Sequence, residues 1–157
     1  MATVVSRRPI SVARATVRTT AKNFPVKSLA GGPRFGTHLT LDGYGADARK
    51  LNDMRRIYDS LEEIVSLLNM KKLVTPYVVH YAGNGQKDLG GYSGMVLIAQ
   101  SHISIHTFPS EGFVTIDVYT CQGDLDIKTA TAYFQQKFGV SEWEQHVIKR
   151  GTKYTRA

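Results

Sequence analysis

The sequence has little cysteine, no long apolar run and no acidic residue near its start. Its single cysteine, Cys121, cannot form an internal disulfide, which excludes a disulfide-stabilised secreted scaffold. No apolar run approaches the ~20 residues that a membrane-spanning helix needs, and the first residues lack the continuous apolar segment of a secretory signal. These absences predict a soluble protein of the cytoplasm that binds no membrane.

Acidic residues are missing from residues 1–34, which hold seven of the 20 lysines and arginines. The remaining cations balance all 13 acids, so the formal charge of +7 resides in a segment that has no apolar periodicity. A nucleic-acid-binding domain would carry its excess charge in the elements that fold, so this class is disfavoured. We predict that residues 1–34 form a disordered basic arm, although their Arg, Ser, Thr and Ala content also fits an organelle transit peptide.

A chain of 157 residues with 42% hydrophobic composition is long enough to bury one core without metal or disulfide support. We therefore predict one folded domain over residues 35–157. Apolar periodicity predicts strands at residues 35–41, 73–81, 95–106, 113–120 and 143–149, and helices at residues 47–70 and 127–138.

Local signals mark the ends of several of these elements. Asp126 is the expected N-cap of the second helix and Gly139 its stop. Five glycines within residues 83–94 predict a loop, and the turn at residues 109–112 should join its two flanking strands into a hairpin. The element order predicts an α/β protein of the α+β type, a two-layer sandwich with an antiparallel sheet and two helices on one face.

Residues able to do chemistry gather between positions 93 and 121. They form an ordered set of Ser93, the block Ser101-His102-Ile103-Ser104-Ile105-His106-Thr107, and Thr120-Cys121. This set resembles the prokaryotic-type S-adenosylmethionine decarboxylase family, and a weaker resemblance extends over about residues 35–150. Each residue alone is more typical of an exposed strand or of small core filler, but their order and spacing together favour the family.

The resemblance implies a proenzyme that makes its own cofactor. Ser101 Oγ would attack the carbonyl of Gln100, and the resulting ester would break to leave a pyruvoyl group at residue 101. That group captures the α-amine of the substrate and withdraws electrons as CO2 leaves, so no metal or further coenzyme is implied. The implied activity is a carboxy-lyase reaction of polyamine biosynthesis, with S-adenosylmethionine as substrate.

The family pattern also implies a role for each residue of the set. His106 matches the processing histidine, a side chain suited to moving protons near neutral pH, and Ser93 matches the serine that assists at the same bond. Cys121 matches the cysteine that returns a proton to the substrate carbon, which an ordinary thiol can do. His102 is left with a structural role. Strand alternation places Ser101 and His106 on opposite faces, so a bend at residues 100 to 101 is expected, where strain would favour the acyl shift.

Two departures from the family pattern leave the substrate open. Gln100 stands where the family has glutamate, and Phe108-Pro109-Ser110 stands where it has Trp-Pro-Glu, with Glu111 one place later. Phe108 would stack on the adenine ring, with Tyr92 as the available aromatic partner, and Glu111 completes the predicted substrate-binding set.

Several alternatives therefore stay open. An arginine or ornithine decarboxylase of the same fold would need a carboxylate for its cationic substrate, and Asp88, Glu111 and Asp117 are candidates. A non-catalytic member that stays uncleaved is a further alternative. The family works as symmetric oligomers, so at least a homodimer is expected, with no nucleic-acid partner.

Overall fold

A computed structural model describes residues 35–86, 89–121 and 125–154. The predicted basic arm at residues 1–34 and the candidate carboxylate Asp88 lie outside the described residues. In chain order the elements are β1 (Gly36–Tyr44), α1 (Ala48–Leu51), α2 (Met54–Leu67), β2 (Tyr77–Tyr81), β3 (Gly91–Ile98), β4 (Ser101–Phe108), a 3-10 turn (Pro109–Glu111), β5 (Phe113–Thr120), α3 (Ile127–Phe138) and β6 (Glu142–Arg150).

The strands form one antiparallel sheet in the order β2-β3-β4-β5-β1-β6, and the helices cover one of its faces. Alternate strand residues such as Ile103 and Ile105 are buried against helix residues such as Leu61 and Phe134. The predicted two-layer α+β architecture is thus confirmed. The opposite sheet face carries no helix in the described part of the chain, and we call it the open face.

The predicted helix over residues 47–70 is wrong in one respect, because the structure breaks it into α1 and α2. Asp47 accepts a hydrogen bond from the backbone N–H of Arg49, and Asp53 accepts one from that of Arg56 at 3.0 Å. Aspartate side chains that cap free N–H groups start a new helix at each site. The described residues therefore form three α-helices where two were predicted.

The predicted strand over residues 95–106 is also wrong, since it contains two strands, β3 and β4, joined by a two-residue turn. Ile98 pairs with Ser101, so only Ala99 and Gln100 lie in the turn. The expected bend at residues 100 to 101 is therefore present. β3 begins at Gly91, inside the segment predicted as a loop, and β2 begins only after Pro76. The predicted hairpin closed by residues 109–112 is confirmed as β4 and β5.

Candidate active site

The bond predicted to be cut lies at the start of β4, next to the end of β5. The Ser101 hydroxyl donates a hydrogen bond to the carbonyl oxygen of Gln100 at 2.7 Å. The backbone N–H of Cys121 donates to Ser101 Oγ at 2.9 Å, and the Cys121 thiol donates to the Gln100 carbonyl oxygen at 3.1 Å. β4 and β5 are antiparallel, and this pairing brings Cys121 beside residue 101, twenty positions earlier in the chain. Nucleophile, attacked carbonyl and thiol thus form one contact group, which we call the cleavage group.

Gln100 holds its backbone in the left-handed region, with φ at +58°. A side chain with a Cβ pays about 1–2 kcal/mol in that region, because Cβ approaches the following carbonyl oxygen. Asn69 is the other non-glycine residue with a positive φ among the described residues, and asparagine tolerates that region better. The strain expected at the cleavage bond is therefore located in residue 100.

Ser93 and His106 form a second contact group on the open face. They are directly paired across β3 and β4, and Ser93 Oγ lies 2.8 Å from His106 Nδ1. Residues directly opposite in an antiparallel pair share a sheet face, so both side chains leave the sheet on the side without helices. The structure thus brings together the two residues predicted to assist processing.

The two groups do not meet within one chain. Ser101 is buried and alternates with Ile103 and Ile105 toward the helices, whereas His106 is exposed on the open face. Five residues of strand separate Ser101 from His106, which corresponds to about 17 Å along β4. The expectation that alternation keeps these two side chains on opposite faces is confirmed, and the bend at residue 100 does not bring them together.

The predicted aromatic partner of Phe108 is not Tyr92. Tyr92 packs against the core and contacts the His80 ring, whose centroid lies 5.0 Å away. Phe108 instead contacts Phe113 at 5.5 Å between ring centroids, and Phe113 contacts Tyr44 at 5.2 Å. The sequence missed this cluster because its members come from three strands and the sheet order was unknown.

The two described candidate carboxylates lie apart from each other. Glu111 is exposed on the 3-10 turn. Asp117 lies on β5, where His38 Nε2 is 3.0 Å from its Oδ1 and Ser104 donates to its Oδ2 at 3.4 Å. His102, predicted to be structural, packs on Tyr119 with ring centroids 5.7 Å apart.

The described residues contain neither a cluster of metal ligands nor a membrane-spanning helix. Within residues 35–86, 89–121 and 125–154, no group of three His, Cys, Asp or Glu side chains could hold a metal ion. No helix in that part of the chain is long and apolar enough to cross a membrane. A groove of about 650 Å³ lies on the helix layer and is lined by Glu62, Glu63, Ser66, Leu67 and Tyr133, none of which belongs to the motif.

Comparison with known proteins gives a consistent result. The family model described as S-adenosylmethionine decarboxylase matches residues 37–151. The S-adenosylmethionine decarboxylase proenzyme of Aquifex aeolicus is 35% identical over 116 residues, which cover 74% of this chain and 81% of that protein. The proenzyme of Thermoplasma acidophilum is 34% identical over 116 residues, covering 74% of this chain and 83% of that protein.

The fold comparison agrees with the sequence comparison. The crystal structure of the adenosylmethionine decarboxylase of Aquifex aeolicus superposes with a TM-score of 0.66 at 31% identity, covering 79% of this chain and 97% of that chain. With the cleavage group and the Ser93–His106 pair in place on this fold, the chain belongs to the S-adenosylmethionine decarboxylase family.

Proposed function

We propose that this protein is a proenzyme that cuts its own backbone between Gln100 and Ser101 and then decarboxylates S-adenosylmethionine. The observation that carries the proposal is the position of Ser101 Oγ, 2.7 Å from the oxygen of the carbonyl it would attack. Family membership supplies the reaction, and the decarboxylase domain corresponds to residues 35–157. The lone cysteine, which leaves no internal disulfide, supports a cytoplasmic location.

The cleavage group supplies two of the three functions that an acyl shift requires. The Cys121 N–H orients Ser101 Oγ, and the Cys121 thiol donates to the Gln100 oxygen, where negative charge develops during attack. The left-handed conformation of Gln100 stores strain that cleavage releases. The missing function is a base that takes the Ser101 hydroxyl proton.

His106 is the proposed base, oriented by Ser93, and it would reach Ser101 from a second copy of the chain. The open face supports this arrangement, because it exposes apolar side chains beside the Ser93–His106 pair: Met95 is 44% exposed, Leu97 43% and Tyr77 70%. Exposed apolar patches mark surfaces that are covered in an assembly. In a two-fold symmetric dimer each open face would cover the other. Ser101 begins β4 at one end of the sheet, beside the Cys121 thiol, which also contacts the open-face residue Tyr119. Each chain's His106 would therefore approach the cleavage bond of its partner around this end.

The residues around position 101 fit a pyruvoyl group. The group would derive from Ser101 itself, remain attached as the first residue of β4, and stay within reach of the Cys121 thiol. When formed, it supplies the electron sink for loss of CO2. Cys121, freed from the Gln100 carbonyl after cleavage, would then donate its proton to the former α-carbon of the substrate.

The aromatic cluster supports S-adenosylmethionine as the substrate. Phe108, Phe113 and Tyr44 offer ring faces at the same end of the sheet as His106, and in a face-to-face dimer they would lie near the partner's residue 101. An adenine ring stacks on such faces. An arginine or ornithine substrate would need a carboxylate there. Asp117 is engaged by His38 and Ser104, so Glu111, exposed on the turn between Phe108 and Phe113, is the carboxylate that such a substrate would use.

Intact-mass analysis of the purified protein tests the cleavage, together with CO2 release from S-adenosylmethionine, arginine and ornithine assayed in parallel. We expect chains of residues 1–100 and 101–157 and release of CO2 from S-adenosylmethionine. The Ser101→Ala variant should remain one chain. An unbroken wild-type chain that releases no CO2 would support the non-catalytic alternative and refute the proposal.

A mixing experiment tests the contribution of the second copy. Ser101→Ala and His106→Ala chains are each expected to stay uncleaved, but a mixed dimer holds one complete site, with Ser101 from one chain and His106 from the other. Unfolding and refolding the two variants together should therefore cleave up to about half of the His106→Ala chains. If the mixture stays uncleaved although the two variants refold and assemble into mixed dimers, His106 does not act across the dimer.

A further inference from the structure

Cys121 has a neighbour that the motif does not include. Tyr119 lies two positions earlier, at the end of β5, and its hydroxyl oxygen is 3.6 Å from Cys121 Sγ. The thiol has one proton, and the Gln100 carbonyl oxygen, at 3.1 Å, is the nearer acceptor. The Tyr119 hydroxyl is therefore placed to donate a hydrogen bond to the sulfur, because a phenol is both donor and acceptor.

The Tyr119 ring is fixed from several sides. The Arg150 guanidinium, from β6, lies 4.9 Å from the ring centroid, in the arrangement of a cation–π contact. The His38 and His102 rings, from β1 and β4, each lie 5.7 Å away between centroids. Arg150 Nη1 is 3.4 Å from His38 Nδ1, and His38 Nε2 reaches Asp117. These are the charged and titratable groups that face Tyr119 from the neighbouring strands, so the hydroxyl has little freedom to leave the sulfur.

We propose that Tyr119 is a positioning residue that holds the Cys121 sulfur beside residue 101 and donates a hydrogen bond to the thiolate left after proton transfer. The inference rests on the proposed role of Cys121 as proton donor. In that step the S–H bond breaks and its electron pair stays on sulfur, while the proton forms a C–H bond with the electron pair of the substrate carbon. The thiolate later takes a proton from water.

The protonation behaviour of Tyr119 agrees with this role. The hydrogen bond with Cys121 is the first cause of a raised Tyr119 pKa, and burial is the second. A phenol whose pKa is raised keeps its proton near neutral pH and so remains a donor. The Arg150 cation lowers the Tyr119 pKa, but by less than the hydrogen bond and burial raise it.

Alkylation of Cys121 by iodoacetamide measures this hydrogen bond directly, because the chain has one cysteine and only the thiolate reacts. The Tyr119→Phe variant keeps the ring and its contact with Arg150 but loses the hydroxyl. We expect it to be alkylated about tenfold more slowly at pH 8, with the rate profile moved to higher pH, because the thiolate loses a hydrogen bond and the sulfur then holds its proton more tightly.

Tyr58→Phe is the matched control, since it removes a tyrosine hydroxyl that bonds Glu62 on the helix layer. It should be alkylated like the wild type, and all variants should react equally in guanidinium chloride. In decarboxylation, Tyr119→Phe should lower kcat with little change in KM, and its mass should show normal cleavage. A Tyr119→Phe alkylation profile that overlays the wild type, in an enzyme that is cleaved and active, would overturn the inference. An uncleaved, inactive wild type would instead refute the proposed function.

Discussion

Replacement of Gln100 by glycine would remove the backbone strain next to the bond that is cut. Gln100 has φ at +58°, a conformation that costs a residue with a Cβ about 1–2 kcal/mol and costs glycine almost nothing. If this strain is released by the time the acyl shift reaches its transition state, a variant that lacks the strain has an activation barrier higher by the same amount. At about 1.4 kcal/mol for each factor of ten, Gln100→Gly should process about 5- to 30-fold more slowly than wild type.

Two further variants separate strain from side-chain chemistry. Gln100→Ala keeps the Cβ and its penalty but loses the amide, so it should process at close to the wild-type rate. Gln100→Asn should fall between alanine and glycine, because asparagine tolerates the left-handed region better than most residues. The expected order of rates is therefore glutamine and alanine, then asparagine, then glycine.

The assay follows cleavage over time after cell-free synthesis, with the two fragments separated by denaturing electrophoresis. Stability is a weaker readout, because glycine also gains about 0.5–1 kcal/mol of chain entropy on unfolding and so offsets the relief of strain. If Gln100→Gly is cleaved as fast as Gln100→Ala, the left-handed turn does not drive processing and the reasoning is wrong.

Three other outcomes follow from the folded structure. Burial, and then the charges of Glu144 and Asp117, raise the pKa of Asp42 above its usual value of 3.8. The ionised carboxylate therefore destabilises the folded state at neutral pH, so Asp42→Asn should raise Tm at pH 7. The gain should vanish below about pH 3, where the carboxyl is protonated in both the folded and the unfolded state. Hydrogen bonds from Thr129 lower the pKa of the N-cap Asp126, so the ionised cap stabilises the fold above pH 3.8. Asp126→Ala should therefore lower Tm at pH 7, and the loss should shrink as the pH falls below 3.8, whereas Asp126→Asn keeps the cap. Leu61→Ala opens a cavity under the sheet and should cost about 2–5 kcal/mol in urea unfolding, against about 0.5 kcal/mol for Leu67→Ala, which is 47% exposed.

Local signals in the sequence predicted some elements fully and others only in part. α3 has the predicted bounds because Asp126 caps it and Gly139, with φ at +67°, ends it. The break between α1 and α2 was missed because Leu51 and Ile57 both reach the core, so the apolar spacing continues across it. Local composition does not mark the turn at Ala99-Gln100, because neither residue is a typical turn former; the bend there was expected only from the chemistry that the motif implies.

The candidate site shows the same division between local and long-range information. The motif identified Ser93, Ser101, His106 and Cys121, but their contacts depend on strand order. The turn at residues 99 and 100 sets the register that pairs Ser93 with His106, and the pairing of β4 with β5 brings Cys121 to Ser101. The neighbours of Tyr119 on β1 and β6, His38 and Arg150, could not be found before the order β5-β1-β6 was known.

In the precursor, the nucleophile and its proposed base lie in two separate contact groups, and this separation would control when the chain is cut. A single chain holds Ser101 against a strained carbonyl but keeps its own His106 about 17 Å away on the other sheet face. The nucleophile is thus ready while its proposed base is absent, so an isolated chain would be stable against premature cleavage. Covering the open face with a second copy would bury the apolar patch and deliver His106 in the same step. Assembly and cofactor formation would then be linked, and only paired chains would acquire the pyruvoyl group.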